Sequence, residues 1–264
     1  MKRLKLIAAT LLLLLVPFLQ SCLDDDCNGF DCFPEDTELG IATIHLTDEN
    51  STNEYYFTLD NGKTVYPAIK KYNDSKKIIE GQRAFIYIKT IDNNSPEAVE
   101  GYDLNAELFY IETILTKPII PLTKKTADSI GDDRINMTHH WVAQGYLTME
   151  FQYYGTHNPN QKHMLNLVDN EDTELVDEEG YINLEFRHNA YDDGKADLGE
   201  GLVSFKLDKV AKEMETAKGL KIRVNTIYDG IKYYKIDLEK DTRSNEAMTT
   251  QQLNPSNYTD NTYY

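Results

Sequence analysis

Alternation of apolar and polar residues with a period of two runs through most of this chain. Ala42, Ile44 and Leu46 share one face of a run whose other face carries Thr43 and His45. Tyr102–Leu108 alternates in the same way, and Ile182, Leu184 and Phe186 alternate with Asn183, Glu185 and Arg187. Between Tyr55–Leu59 and Thr64–Tyr66 lies Asp60-Asn61-Gly62-Lys63. Asn-Gly between β-rich runs predicts a tight hairpin, because both turn positions need a positive φ. With Arg83–Ile88 added, the first half holds about five strands, the complement of a small OB-like barrel.

Lys117-Pro118-Ile119-Ile120-Pro121-Leu122 follows as an extended connector, since each proline biases its predecessor away from helix. The domain boundary is placed here. Thr126–Arg134 reads as a polar loop. Further strands are expected at 135–138, 140–142, 146–153, 163–168, 181–187, 202–207, 221–227 and 231–238, with Asp229-Gly230 turning the last hairpin. About seven strands with turns between them suit an immunoglobulin-like β-sandwich. Only Lys209–Lys218 has helical character. The predicted class is therefore all-β, with a signal peptide at 1–21, a tether at 22–38, a barrel at 39–118, a sandwich at 119–239 and a disordered, apolar-poor tail at 240–264.

The first residues give an address. Lys2, Arg3 and Lys5 precede an apolar run from Leu6 to Leu19, and then Gln20-Ser21-Cys22. A positive start, an apolar core and a small residue at the cut make a secretory signal. The run is shorter than the roughly 20 apolar residues of a membrane span. Cys22 after Leu-x-Ser has the form of a lipobox cysteine, the residue that is acylated in a bacterial lipoprotein. Such acyl chains, palmitate among them, hold a domain at a bilayer. The expected location is the outer membrane, and Asp24-Asp25-Asp26 resembles an acidic signal for export to the cell surface. Its plainer reading is a solvated linker. Cys27 and Cys32 are a candidate disulfide in an oxidising compartment, or else two free thiols.

Charge narrows the partners. The chain carries 27 basic and 44 acidic residues, a net of −17. The first 21 residues contain three bases and no acid, so their removal leaves −20. This argues against nucleic acid, whose phosphates need a basic face. The lipid anchor is then the contact with the membrane, and the remaining partner is an unidentified protein, peptide or glycan.

No catalytic motif stands out, and the expectation is a non-enzyme without metal or cofactor. Gly-x-Ser-x-Gly, His-Glu-x-x-His and the phosphate-loop lysine are all absent. His139, His140, His157, His163 and His188 would matter only if they converged with carboxylates in a pocket. Asp192-Asp193-Gly194-Lys195-Ala196-Asp197 has oxygen ligands but not the EF-hand spacing, so a solvated turn is favoured over calcium. Asp132-Asp133-Arg134 is either an ion-paired loop at the domain junction or a turn in water. Trp141 is expected in the sandwich core. Among 18 tyrosines, most are read as good strand formers. The candidate binding surface is Tyr153, Tyr154, His157, Tyr233 and Tyr234, because neighbours on a strand cannot both face the core.

Several stretches resemble the NigD-like lipoproteins. They are Tyr56–Thr64, Gly81–Ile86, Ile130–Asn136, Phe151–Gly155, His157–Pro159, Leu184–Asn189 and Leu220–Val224. The resemblance spans about 22–238 and implies an N-terminal OB-like domain followed by a C-terminal β-sandwich. The family takes its name from a bacteriocin operon, from which an immunity role is inferred. It brings no established catalytic or binding residue. The resulting expectation is a lipid-anchored binding module, with bacteriocin immunity implied by the family name. The alternative is a surface glycan- or peptide-binding accessory of nutrient uptake.

Overall fold

The structure is a computed structural model, and it describes Pro34 and residues 36–48, 51–72, 77–238 and 262–264. Cys22, Asp24, Asp25, Asp26, Cys27 and Cys32 lie outside the described residues, as do 239–261 of the tail.

The first five strands are β1 (Glu38–Asp48), β2 (Ser51–Leu59), β3 (Thr64–Lys70), β4 (Arg83–Ile91) and β5 (Leu104–Thr113). They close into a barrel in the order β1-β2-β3-β5-β4, with β4 returning to β1. Pairing is antiparallel except for β3 with β5. Ala42, Ile44, Phe57, Val65, Ile86, Leu108 and Ile111 fill the interior, none of them exposed. A hairpin turn forms at Asn61-Gly62 as the sequence predicts, but of the two only Gly62 takes a positive φ. Gly62 has φ +84° and returns its N–H to Leu59 O at 2.8 Å. Outside the barrel, His45, Tyr56, Tyr102 and Tyr66 form a ladder with successive centroids 4.9, 5.4 and 4.9 Å apart. The ring faces are spent on one another, which is how cross-strand aromatic pairs stabilise a sheet.

The connector is structured. Leu115–Pro118 (β6) and Ile120–Leu122 (β7) are short strands that join opposite sheets. β6 pairs parallel with β12 (Asp197–Lys206), and β7 pairs parallel with β10 (Met164–Asn170). Both prolines sit at solvent-exposed edge positions, where a missing N–H costs little. β6 therefore belongs to the sandwich, and the barrel ends before it.

The sandwich also uses β8 (Asn136–Ala143), β9 (Tyr146–Gly155), β11 (Tyr181–Asn189), β13 (Gly219–Thr226) and β14 (Gly230–Asp237). One sheet runs β14-β13-β11-β10-β7 and the other β6-β12-β9-β8. The stretch read as two short strands at 135–142 is one strand with an irregularity between Met137 and His139. Leu147, Met149, Phe151 and Tyr153 of β9 alternate into the core against Leu165, Leu167, Leu184, Phe186, Ile222 and Val224. Gly201 is required here, because a Cβ on it would lie 2.3 Å from the Phe151 ring. The polar loop at 126–134 contains one helical turn, Ala127–Ile130, and Asp208–Met214 forms the expected short helical segment.

Barrel and sandwich lie in one compact unit. Ile41, Phe85, Ile114, Trp141, Ala143 and Leu202 make a separate buried cluster across their boundary. Trp141 is thus buried, but at this junction and not in the sandwich core. Alternation is the reason: Val142 takes the inward face of β8, so Trp141 faces the barrel. Its indole N–H donates to Asp60 Oδ2 at 2.8 Å, and the Asp60 Oδ1 pairs with the fully buried Arg83. Tyr146 O–H donates to Gly81 O at 3.0 Å. Beside them Thr148 and Ser204, cross-strand partners with no exposed surface, share a 2.7 Å hydrogen bond. Ser204→Ala strands the Thr148 hydroxyl and should cost about 1–2 kcal/mol. Urea titration reads this as a lower midpoint at unchanged slope.

Candidate functional site

A cleft of about 710 Å³ opens at one end of the sandwich, where β9, β11 and β13 end and β12 begins. Its walls come from Asp132-Asp133-Arg134, from Tyr154, His188 and the Ala190–Lys195 loop, and from Asn225, Ile227 and Tyr228. The Tyr228 ring is 65% exposed, and its hydroxyl lies 3.4 Å from that of Tyr154. Tyr191 and Asp192 bend the loop with φ of +48° and +60°. That bend aims the Asp193 carboxylate inward, where it accepts from Thr156 N–H at 2.7 Å and from the Thr156 hydroxyl.

Behind the cleft the structure joins two of the five histidines into a buried chain. His163 Nε2 lies 3.0 Å from Asp193 Oδ2, His163 Nδ1 lies 2.9 Å from His188 Nε2, and His188 Nδ1 lies 3.2 Å from Arg134 O. The rings are stacked with centroids 5.0 Å apart, and both residues are buried. The acceptors at the two ends fix the protons. A carboxylate and a carbonyl can only accept, so both outer nitrogens donate. Desolvation, and then the neighbouring His163, push His188 down to about 4. Asp193 itself is held at about 2: burial opposes the charge, but the Thr156 and His163 hydrogen bonds outweigh it.

The predicted binding surface is divided by the strand it sits on. Tyr153 is not a surface residue. It is 1% exposed, and its hydroxyl reaches Thr262 and, at 3.3 Å, His157 Nδ1. Tyr154, its neighbour, takes the opposite face and lines the cleft. His157 adopts φ +52° and places Nε2 3.3 Å from Asp197 O. Tyr233 is 61% exposed on β14, while Tyr234 packs on the sandwich core and meets His140 edge-on. The five residues thus form no single patch, because period-two alternation sends each adjacent pair to opposite faces.

Other expectations find their places. Asp132-Asp133-Arg134 is ion-paired, at the cleft end and not at the domain junction. Asp132 takes Arg223 bidentately at 2.9 and 2.8 Å and Arg187 at 3.2 Å. Asp133 accepts from Ala190 N–H at 2.8 Å, and Arg134 donates to Ile227 O at 2.9 Å. In the acidic loop Asp193 turns in to His163. Among the described residues no three His, Cys, Asp or Glu side chains converge as a metal site. His139 is exposed near Glu150 and takes no part in the buried chain. Tyr228 belongs to the cleft and was not singled out by the sequence reading. The signal was there in the Tyr228-Asp229-Gly230 turn, which puts an aromatic residue at a strand end.

Comparison with known proteins matches two family models end to end. Residues 43–114 match the NigD-like N-terminal OB domain, and 118–238 match the NigD-like C-terminal β-sandwich domain. No curated protein matches the sequence. A protein of unknown function from Bacteroides vulgatus superposes with a TM-score of 0.65 at 25% identity, over 85% of this chain and 99% of its own. A Parabacteroides distasonis protein provisionally described as toxin-related gives 0.62 at 25%, over 80% and 98%. A NigD-like immunity protein from Bacteroides caccae gives 0.54 at 19%, over 75% and 92%, a likeness of fold.

Proposed function

The chain belongs to the NigD-like family, and from that premise we propose that it is a lipid-anchored, non-enzymatic binding protein of the cell envelope whose ligand enters the cleft beside Tyr228. The cleft itself carries the reading. It joins an exposed aromatic ring to the Arg134 guanidinium, the Lys195 ammonium and the Asp192 carboxylate, a combination that suits a polar, hydroxyl- or amide-rich ligand. The buried imidazoles behind it support binding over catalysis. Both nitrogens of His163 and both of His188 are committed within the protein, so neither ring offers a free base to a substrate. Cys22 supplies the anchor, and Asp24–Asp26 direct it outward.

The toxin-related description of one similar structure and the immunity description of another make a bacteriocin the first ligand to try. Cells lacking the gene should become more sensitive to one of a bacteriocin panel, and Tyr228→Ala with Arg134→Ala should fail to restore resistance. Unchanged sensitivity across the panel removes immunity. The exposed Tyr228 ring favours a second reading, a glycan ligand. A glycan array probed with the protein decides it, with binding lost in the same variants. A blank array removes the glycan. For the anchor, Cys22→Ala should abolish palmitate labelling. Alanine at Asp24, Asp25 and Asp26 should leave labelling intact and protect the protein from protease added to whole cells.

A further inference from the structure

β7 covers only part of the β10 edge, pairing over Val168–Asn170. Below it, at His163–Leu165, the chain's last three residues take the edge. His163 N–H donates to Thr262 O at 2.7 Å, Tyr264 N–H to His163 O at 2.9 Å, and Leu165 N–H to Tyr264 O at 2.9 Å. This is a short parallel pairing centred on His163 and Tyr263. Each side chain has its own fitting. Thr262 is 3% exposed and its hydroxyl bonds the Tyr153 hydroxyl. The Tyr263 ring packs edge-on against Phe151 at 5.0 Å and reaches the sandwich core. The Tyr264 hydroxyl lies 2.7 Å from that of Tyr191, and Lys117 Nζ sits 5.8 Å from its ring centroid.

We propose that this edge is a binding groove for an extended peptide, reading a β-branched hydroxyl residue followed by two aromatic residues, with Thr262–Tyr264 as its resident occupant. Three main-chain bonds and three side-chain fittings hold that occupant, in the manner of a strand added to a sheet edge. Main-chain bonds of this kind do not depend on which chain supplies the strand. The groove meets the body of the protein at Tyr153 and His163, and its pairing uses neither Tyr228 nor Arg134, so the proposal does not require a ligand in the cleft. Tethering gives the resident tail an effective concentration on the order of millimolar. A competing peptide of the same chemistry therefore binds only where the tail has been released.

The test uses the full chain with a protease site inserted within 239–261, cut after folding. The probe is a labelled Asp-Asn-Thr-Tyr-Tyr peptide, matching residues 260–264. After cutting and removal of the tail, the peptide should bind at least tenfold more tightly than to the uncut chain. A peptide with alanine in place of the first tyrosine should lose at least tenfold. An uncut Tyr263→Ala chain provides a second route, and should bind the labelled peptide more tightly than the unmodified chain does. Equal binding to cut and uncut chains, or none to either the cut chain or the Tyr263→Ala chain, overturns the proposal.

Discussion

Asp60→Ala is expected to cost about 3–5 kcal/mol, the loss typical of removing one partner from a buried ion pair. Arg83 has no exposed surface. Its guanidinium is held by Asp60 on one nitrogen and by the Thr43 hydroxyl at 3.2 Å on another, while Nε has no hydrogen-bond partner. Its face lies over Tyr146, 5.2 Å from the ring centroid. Without Asp60 a desolvated cation is left with one neutral acceptor, and Trp141 loses its own partner as well. Two domains feel the change, since Asp60 and Arg83 belong to the barrel and Trp141 and Tyr146 to the sandwich. Urea unfolding should keep a single transition with a much lower midpoint. Pairing Asp60→Ala with Arg83→Met should recover part of the loss, because the unpaired charge goes too. A single-variant loss below about 1 kcal/mol would show that the pair does not hold the junction, since that is the range of exposed pairs.

This junction also shows what the sequence could and could not say. Period-two alternation located nearly every strand, and Asn61-Gly62 and Asp229-Gly230 located two hairpins, because those signals are local. Asp60 was read as a turn residue, which it is, and nothing local ties it to Arg83 or Trp141. The short strands β6 and β7 escaped notice because their pairing is parallel and long-range, and two prolines masked their propensity. The cleft was legible only in fragments. The acidic loop, Asp132-Asp133-Arg134 and the histidines were each noticed separately. What joins them is the return of β11 beside β13 in parallel, a topological fact without a local signature. The last three residues were assigned to a disordered tail, and the structure corrects that. Their composition is polar, but Tyr263 has a place in the core and Thr262 a buried partner.

Acid should destabilise the protein well before its surface carboxylates protonate, and His188 is the reason. Its folded value is about 4, pressed down by desolvation and by His163, against an ordinary 6.5. The unfolded chain therefore takes up a proton below pH 6.5 that the folded chain refuses until about pH 4. Stability falls as pH drops through that window, by about 3 kcal/mol for a shift of this size, and is fully present above it. Asp193 adds a second step of the same sign at lower pH. Its folded value near 2 against 3.8 means that the stability it contributes is present above pH 4 and is lost as pH falls toward 2. The groups facing His188 are His163, the Arg134 carbonyl and, at longer range, the Asp133 charge, with the Tyr153 ring edge-on at 6.0 Å. The last two polar groups raise its value and are outweighed. Urea midpoints measured from pH 7.5 to 4 should decline steadily below pH 6.5. The same series on His188→Gln should be flatter by about 3 kcal/mol across the window, whatever its starting stability, because no proton can be gained there. A decline of equal size in His188→Gln would place the titration on other groups, and the buried Asp193–His163–His188 chain would then be a packing arrangement without a pH-dependent role.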